Sequence, residues 1–153
     1  MRIRSLFFGL LTLPLAACLG DATTNTNSSY PLVPIENTTF AASLGVDLAH
    51  STKTASGLYY RDIRVGTGAT LAAGATVNAK YSGALANGTV FDAGTYAFTL
   101  GAGRVIQGWD EGIVGMKVGG SRQLIIPASL GYGSSGSGPI PPNAVLVFTV
   151  EPQ

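Results

Sequence analysis

The chain has 153 residues, room for one domain and a tail, and its 46% hydrophobic share allows a buried core while a charged share of 11% excludes a disordered polyelectrolyte. Formal charge is +1 and the nine basic residues are scattered, so the electrostatic footprint of a nucleic-acid-binding protein is missing. One Cys and one His exclude an internal disulfide, a Cys-rich zinc site and an ordinary Cys-His nucleophile, so neither metal nor cofactor is expected, and 21 glycines disfavour a helix bundle.

In chain order, Arg2 and Arg4 precede an apolar run from Leu6 to Leu15, broken by Pro14 and followed by Ala16 and Ala17. This order of positive charge, short apolar run and small residues predicts a signal peptide over residues 1–17. The run is too short to span ~30 Å of hydrocarbon as a permanent helix. Leu15-Ala16-Ala17-Cys18 resembles the lipobox of bacterial lipoproteins, which implies cleavage before Cys18, acylation of its thiol and membrane anchoring through lipid. Localisation is therefore expected at the cell envelope, on the periplasmic side. Leu19 stands where some lipoproteins carry an aspartate that retains them in the inner membrane, which favours the outer membrane in a Gram-negative host. Loss of Arg2 and Arg4 leaves seven basic against eight acidic residues, a net charge of −1.

Residues 18–38, rich in Thr, Asn, Ser and Pro, read as a flexible tether, and residues 39–56 as a connecting segment. Within it, Phe40, Leu44 and Leu48 carry helical spacing, which predicts a short helix or docking arm, and His50 reads as a solvated surface residue.

Residues 57–153 form the predicted folded domain, with apolar runs of strand length broken by Gly-containing turns. Leu58 to Val65 reads as a strand with Leu58, Tyr60 and Ile63 or Val65 inward. In Ala75 to Ala84, Val77, Ala79 and Tyr81 share a face by period-two spacing. Asn87-Gly88 predicts a type I′ hairpin into Thr89-Val90-Phe91, and Ala93-Gly94-Thr95 a loop before a short strand from Tyr96 to Leu100. Strands are also predicted at Gln123 to Ile126 and Ala144 to Val150. Between Val105 and Met116, the spacing of Ile106, Trp109, Ile113 and Met116 predicts one short helix. The fold class is therefore α+β: a curved antiparallel sheet of five to six strands, a half-barrel, wrapped around that helix.

The ordered series Ser56-Gly57-Leu58-Tyr59-Tyr60, Val65-Gly66-Thr67-Gly68, Tyr81-Ser82-Gly83, Gly88-Thr89-Val90-Phe91-Asp92, Val105-Ile106-Gln107-Gly108-Trp109 and Ile140-Pro141-Pro142-Asn143 resembles the FKBP-type peptidyl-prolyl cis-trans isomerase domain. The resemblance covers nearly all of residues 57–151. It implies a shallow apolar pocket walled by Tyr81, Phe91, Asp92, Val105, Ile106, Tyr132 and Phe148, floored by Trp109, with Tyr96 as a further wall and Ile140 at the rim. It further implies catalytic roles for Asp92, Tyr132, Phe91 and Trp109, the others binding substrate, and no metal or cofactor. Phe98 and Tyr60 read as sheet core. The implied partners are proline-containing polypeptides of the export route and macrolide-type inhibitors of such domains, bound by a monomer. The competing implication is a membrane-anchored proline-binding or chaperone module without turnover. No arginine stands in the sequence to pair with Asp92, and the Gly/Ser loop after Tyr132 lacks the strand-to-helix context of a phosphate cradle.

Overall fold

The computed structural model describes residues 31–153, so the predicted signal peptide, Cys18 and most of the tether lie outside the described residues. Six strands form one antiparallel open sheet: β1 (Thr52–Lys53), β2 (Tyr59–Arg64), β3 (Thr76–Leu85), β4 (Val90–Thr99), β5 (Ser121–Ile126) and β6 (Leu146–Pro152). Their spatial order is β1-β2-β5-β6-β3-β4, which leaves β1 and β4 as the edges. The helix α1 (Gln107–Gly112) lies against one face, as the α+β reading expects, though it is shorter than the predicted span.

Period-two alternation places Val77 and Ala79 of β3 and Leu146, Phe148 and Val150 of β6 in the core beside α1. The helix approaches β5 at a distance only glycine permits. A Cβ at Gly108 would stand 2.6 Å from Ile126 Cγ2, and one at Gly112 2.7 Å from Leu124 Cδ2. Arg122 of β5 fixes the end of α1: its guanidinium is buried, donates to the carbonyls of Gly112 and Val114, pairs both carboxylate oxygens of Asp62 at 2.6 and 2.9 Å, and stacks on Tyr60.

Several sequence expectations need correction. All six residues of β5 are buried, because its opposite face is covered by the chain before β1. Ile35 is buried, and Phe40, Leu44, Val46 and Leu48 pack with it over Tyr59, Ile125, Val145 and Val147. The flexible tether therefore stops short of residue 38: hydrophobic burial, with Glu36 accepting hydrogen bonds from Lys53 (2.5 Å) and Tyr59 (2.6 Å), pins this segment. Of the two expected forms, a short helix or a docking arm, the segment takes the arm: it runs through three 3₁₀ turns, Ile35–Asn37, Ala42–Leu44 and Leu48–His50, since its apolar residues must follow a sheet surface rather than one helix face.

Second, Ala93-Gly94-Thr95 is no loop. These residues lie inside β4, opposite Ser82, Tyr81 and Lys80, so pairing overrides the low strand preference of Gly94. Third, the hairpin is not type I′, because Gly88 alone in the turn has positive φ, at 89°. Gly88 N–H donates to the Leu85 carbonyl and Leu85 N–H to the Thr89 carbonyl, a three-residue connection that ends in a left-handed glycine. Asn87 helps by accepting from Thr89 N–H at 2.9 Å. Fourth, Ile63 and Val65 are exposed, because the β2–β5 register shifts between Asp62 and Arg64. Fifth, the two strands expected at Thr89 to Phe91 and Tyr96 to Leu100 are one.

Candidate active site

The fold brings side chains from five places to one open pocket of about 200 Å³: Tyr81 from β3, Phe91, Asp92 and Tyr96 from β4, Phe148 from β6, Ile106 and Trp109 from the start of α1, and Tyr132 from the loop before β6. Trp109 is 5% exposed and forms the floor. Its ring meets Tyr81 at 5.0 Å and Phe148 at 5.3 Å between centroids, both edge to face, and Phe98 at 5.7 Å. Phe91 stands edge to face on Phe148 at 5.5 Å, and Tyr96 stacks on Phe98. The rings hold one another, so the pocket walls are set by packing.

Two consecutive residues, Phe91 and Asp92, line the pocket although strand neighbours ordinarily point to opposite faces. The β3–β4 register supplies the reason. Gly83 pairs with Asp92 and Ala84 with Val90, so Phe91 is an extra residue on β4, and a bulge of this kind re-aims side chains. Gly83 makes room for the result, since a Cβ there would fall 2.5 Å from Phe148 Cε1 and 2.8 Å from Phe91 Cζ.

The partner of Asp92 is a phenol. Tyr81 Oη donates to Asp92 Oδ2 at 2.7 Å. Tyr81 pairs with Gly94 and Asp92 with Gly83, so the two side chains are diagonal neighbours, and the phenol passes over a position that has no side chain. The hydrogen bond to Asp92, partial burial and the Asp92 charge together push the Tyr81 phenol up to about 12. It stays a protonated donor throughout the physiological range. Sequence reasoning placed Tyr81 in the wall but missed this role; the signal was Gly94 opposite an aromatic residue.

Two potential donors are free. Ile106 N–H has no acceptor among the described residues, while the Ile106 carbonyl accepts from Trp109 and Asp110 as it opens α1. The Tyr132 phenol makes no hydrogen bond among the described residues and is 37% exposed. Asp110 accepts from Gly101 N–H at 2.8 Å and Gly103 N–H at 3.0 Å, which shapes the loop that delivers Ile106. Two expected members do not line the pocket. Ile140 is buried in the core, where its backbone closes the Gly/Ser loop on Ser137, and Val105 packs against the same core from its edge. His50 lies far from this chemistry in the arm, where its Nδ1 sits 2.7 Å from Asp47.

Residues 68–152, more than half the chain, match the family described as FKBP-type peptidyl-prolyl cis-trans isomerase. An "FK506-binding protein" of Neisseria meningitidis serogroup B is 46% identical over 101 residues, covering 62% of this chain and 93% of that protein. "FK506-binding protein 4" of Dictyostelium discoideum is 51% identical over 100 residues, covering 63% of this chain but spanning only 28% of that longer protein. Among solved structures, AtFKBP13 superposes with a TM-score of 0.64 at 39% identity, over 67% of this chain and 95% of that one. FkpA from Escherichia coli superposes with a TM-score of 0.62 at 37% identity, over 67% of this chain and 50% of that one.

Proposed function

The chain belongs to the FKBP-type peptidyl-prolyl cis-trans isomerase family, and from that premise we propose that it accelerates rotation about X-Pro bonds of exported polypeptides, as a lipid-anchored monomeric folding helper at the cell envelope. The observation that carries the reading is the packed aromatic pocket over Trp109, with a free N–H at Ile106 and a free phenol at Tyr132 on its border.

The chemistry needs no nucleophile. An X-Pro bond has nearly balanced isomers but a barrier of about 18 to 20 kcal/mol, because rotation breaks amide resonance. Water favours the planar, charge-separated amide over the twisted one, so a site that strips water from the carbonyl lowers the barrier. In this account Trp109 seats the proline ring, Phe91 and Phe148 exclude water, and Ile106 N–H and Tyr132 Oη hold the flanking peptide. Asp92, oriented by Tyr81, acts electrostatically on the twisting carbonyl, and the pocket takes FK506-type ligands in competition with peptide.

Anchoring rests on the leader from Arg2 to Ala17 and on the tetrad ending in Cys18. The test has two arms. Full-length protein should speed cis-trans exchange of a short apolar-X-Pro peptide, and FK506 should suppress it; binding of peptide without acceleration would favour the non-catalytic alternative. Cys18→Ser should leave an uncleaved, unlipidated precursor, and a variant that matures and stays membrane-bound like the parent would refute the anchor.

A further inference from the structure

β4 is an edge strand of ten residues, and most of it is exposed. Which of its backbone groups are unpaired follows from alternation. Leu100 N–H donates to the Ala75 carbonyl at the start of the β3–β4 ladder, and the Asn78 carbonyl on the other side of β3 accepts from Gln153 beyond β6. Odd-numbered residues of β3 therefore bond to β4, and their partners Asp92, Gly94, Tyr96 and Phe98 point their backbone groups inward. The N–H and C=O groups of Ala93, Thr95 and Ala97 point outward from the sheet.

Exposed edges are ordinarily guarded by lysine, proline, a bulge or a covering segment. After the bulge at Phe91, β4 carries none of the first three: residues 93–99 read Ala-Gly-Thr-Tyr-Ala-Phe-Thr, and Ala93, Thr95 and Ala97 are all exposed. The same strand supplies Phe91, Asp92 and Tyr96 to the pocket, so the unguarded edge is continuous with the site.

We propose that β4 is the substrate-docking edge: the extended segment of a client polypeptide preceding its X-Pro bond adds to the sheet along Ala93, Thr95 and Ala97. This rests on the isomerase reading above. The chemistry of the client matches the edge, because the residue before a proline is held in extended conformation, as strand addition requires. Proline itself has no N–H, so the ladder ends there and the ring is free to leave the sheet plane for Trp109. A second copy of the chain paired edge to edge is the competing occupant.

Thr95→Pro removes one outward N–H without breaking a bond to β3, a position where a strand tolerates proline, and Thr95→Val keeps the N–H as a control. With full-length protein, kcat/KM on a long unfolded proline-containing polypeptide should fall roughly tenfold in Thr95→Pro and stay unchanged in Thr95→Val, while a four-residue X-Pro peptide is turned over equally by all three. In the unsubstituted protein, a ten-residue X-Pro peptide should slow amide hydrogen exchange at Ala93, Thr95 and Ala97, with Gly94 and Tyr96 unchanged. That exchange pattern reads the docking directly: its absence overturns the proposal even if Thr95→Pro fails to fold. Equal turnover of the long substrate by Thr95→Pro and parent, or equal losses on both substrates, would also overturn it. So would a dimer in sedimentation that Thr95→Pro dissociates, since the edge would then belong to a second copy. Absent turnover of the short peptide by the parent would refute the isomerase reading instead, and the exchange pattern would still decide the docking.

Discussion

At the scale of single residues, Trp109 and Tyr132 differ in kind. Trp109→Leu removes the floor and part of the core, so it should cost about 2 to 4 kcal/mol in thermal or denaturant unfolding and lower inhibitor affinity as well. The indole Nε1 is buried without an acceptor among the described residues, so Trp109→Phe, which discards that donor and keeps a ring, should cost markedly less than Trp109→Leu. Tyr132→Phe leaves packing intact and deletes a phenol with no internal partner; peptide affinity should fall about tenfold or less at unchanged stability, read by titration and melts. A Tyr132→Phe protein as unstable as Trp109→Leu would reassign Tyr132 to the core. Tyr81 gives a pH signature. Its phenol is raised from 10.0 to about 12, so its contribution is fully present below pH 10 and is lost as pH climbs through about 12. Unfolding free energy should drop across that window by more in the parent than in Tyr81→Phe. The aromatic residues of the site were legible from their motifs, but the Tyr81 to Asp92 bond depends on a diagonal across two strands and on Gly94, which no one-dimensional spacing displays.

At the scale of elements, the arm from Ile35 to His50 behaves as part of the domain. Ile35→Ala should destabilise the fold by about 2 to 5 kcal/mol in denaturant melts while leaving short-peptide turnover unchanged, since Ile35 lies on the opposite face of the sheet from Trp109. A fragment begun at Asn37 would lose this residue and Glu36 with it. The hydrogen bonds from Lys53 and Tyr59 hold the Glu36 carboxyl at about 2, down from 4.5. Its stabilising contribution is therefore present above pH 4.5 and lost as pH falls through about 2, and denaturation across that window should distinguish the parent from Glu36→Gln. Strand existence was readable wherever alternation was strict, as in Val77, Ala79 and Tyr81. Boundaries failed where tertiary pairing outweighed local preference: Gly94 read as a loop residue, and the hairpin type hinged on the φ of Asn87, which sequence does not reveal. The arm was the least readable element, because its apolar residues are spaced to follow a curved sheet and match neither the helix nor the strand period.

At the scale of the whole molecule, one sheet serves two purposes. Its β5 strand and the start of β6 are buried on both faces, by α1 on one and the arm on the other, and this centre holds Phe148 and the floor at Trp109. The β4 edge, outside that double layer, stays open beside the pocket. Whether the pocket turns over X-Pro bonds is decided by exchange between cis and trans forms of a short apolar-X-Pro peptide, followed by NMR with catalytic amounts of the protein between about pH 6 and 8. Exchange should be accelerated to the same degree across this range, because Tyr81 remains protonated and no titrating group donates or accepts a proton in the step, and FK506 should abolish the acceleration. An unaccelerated rate despite peptide binding, or a rate that changes steeply across the range, would contradict this mechanism.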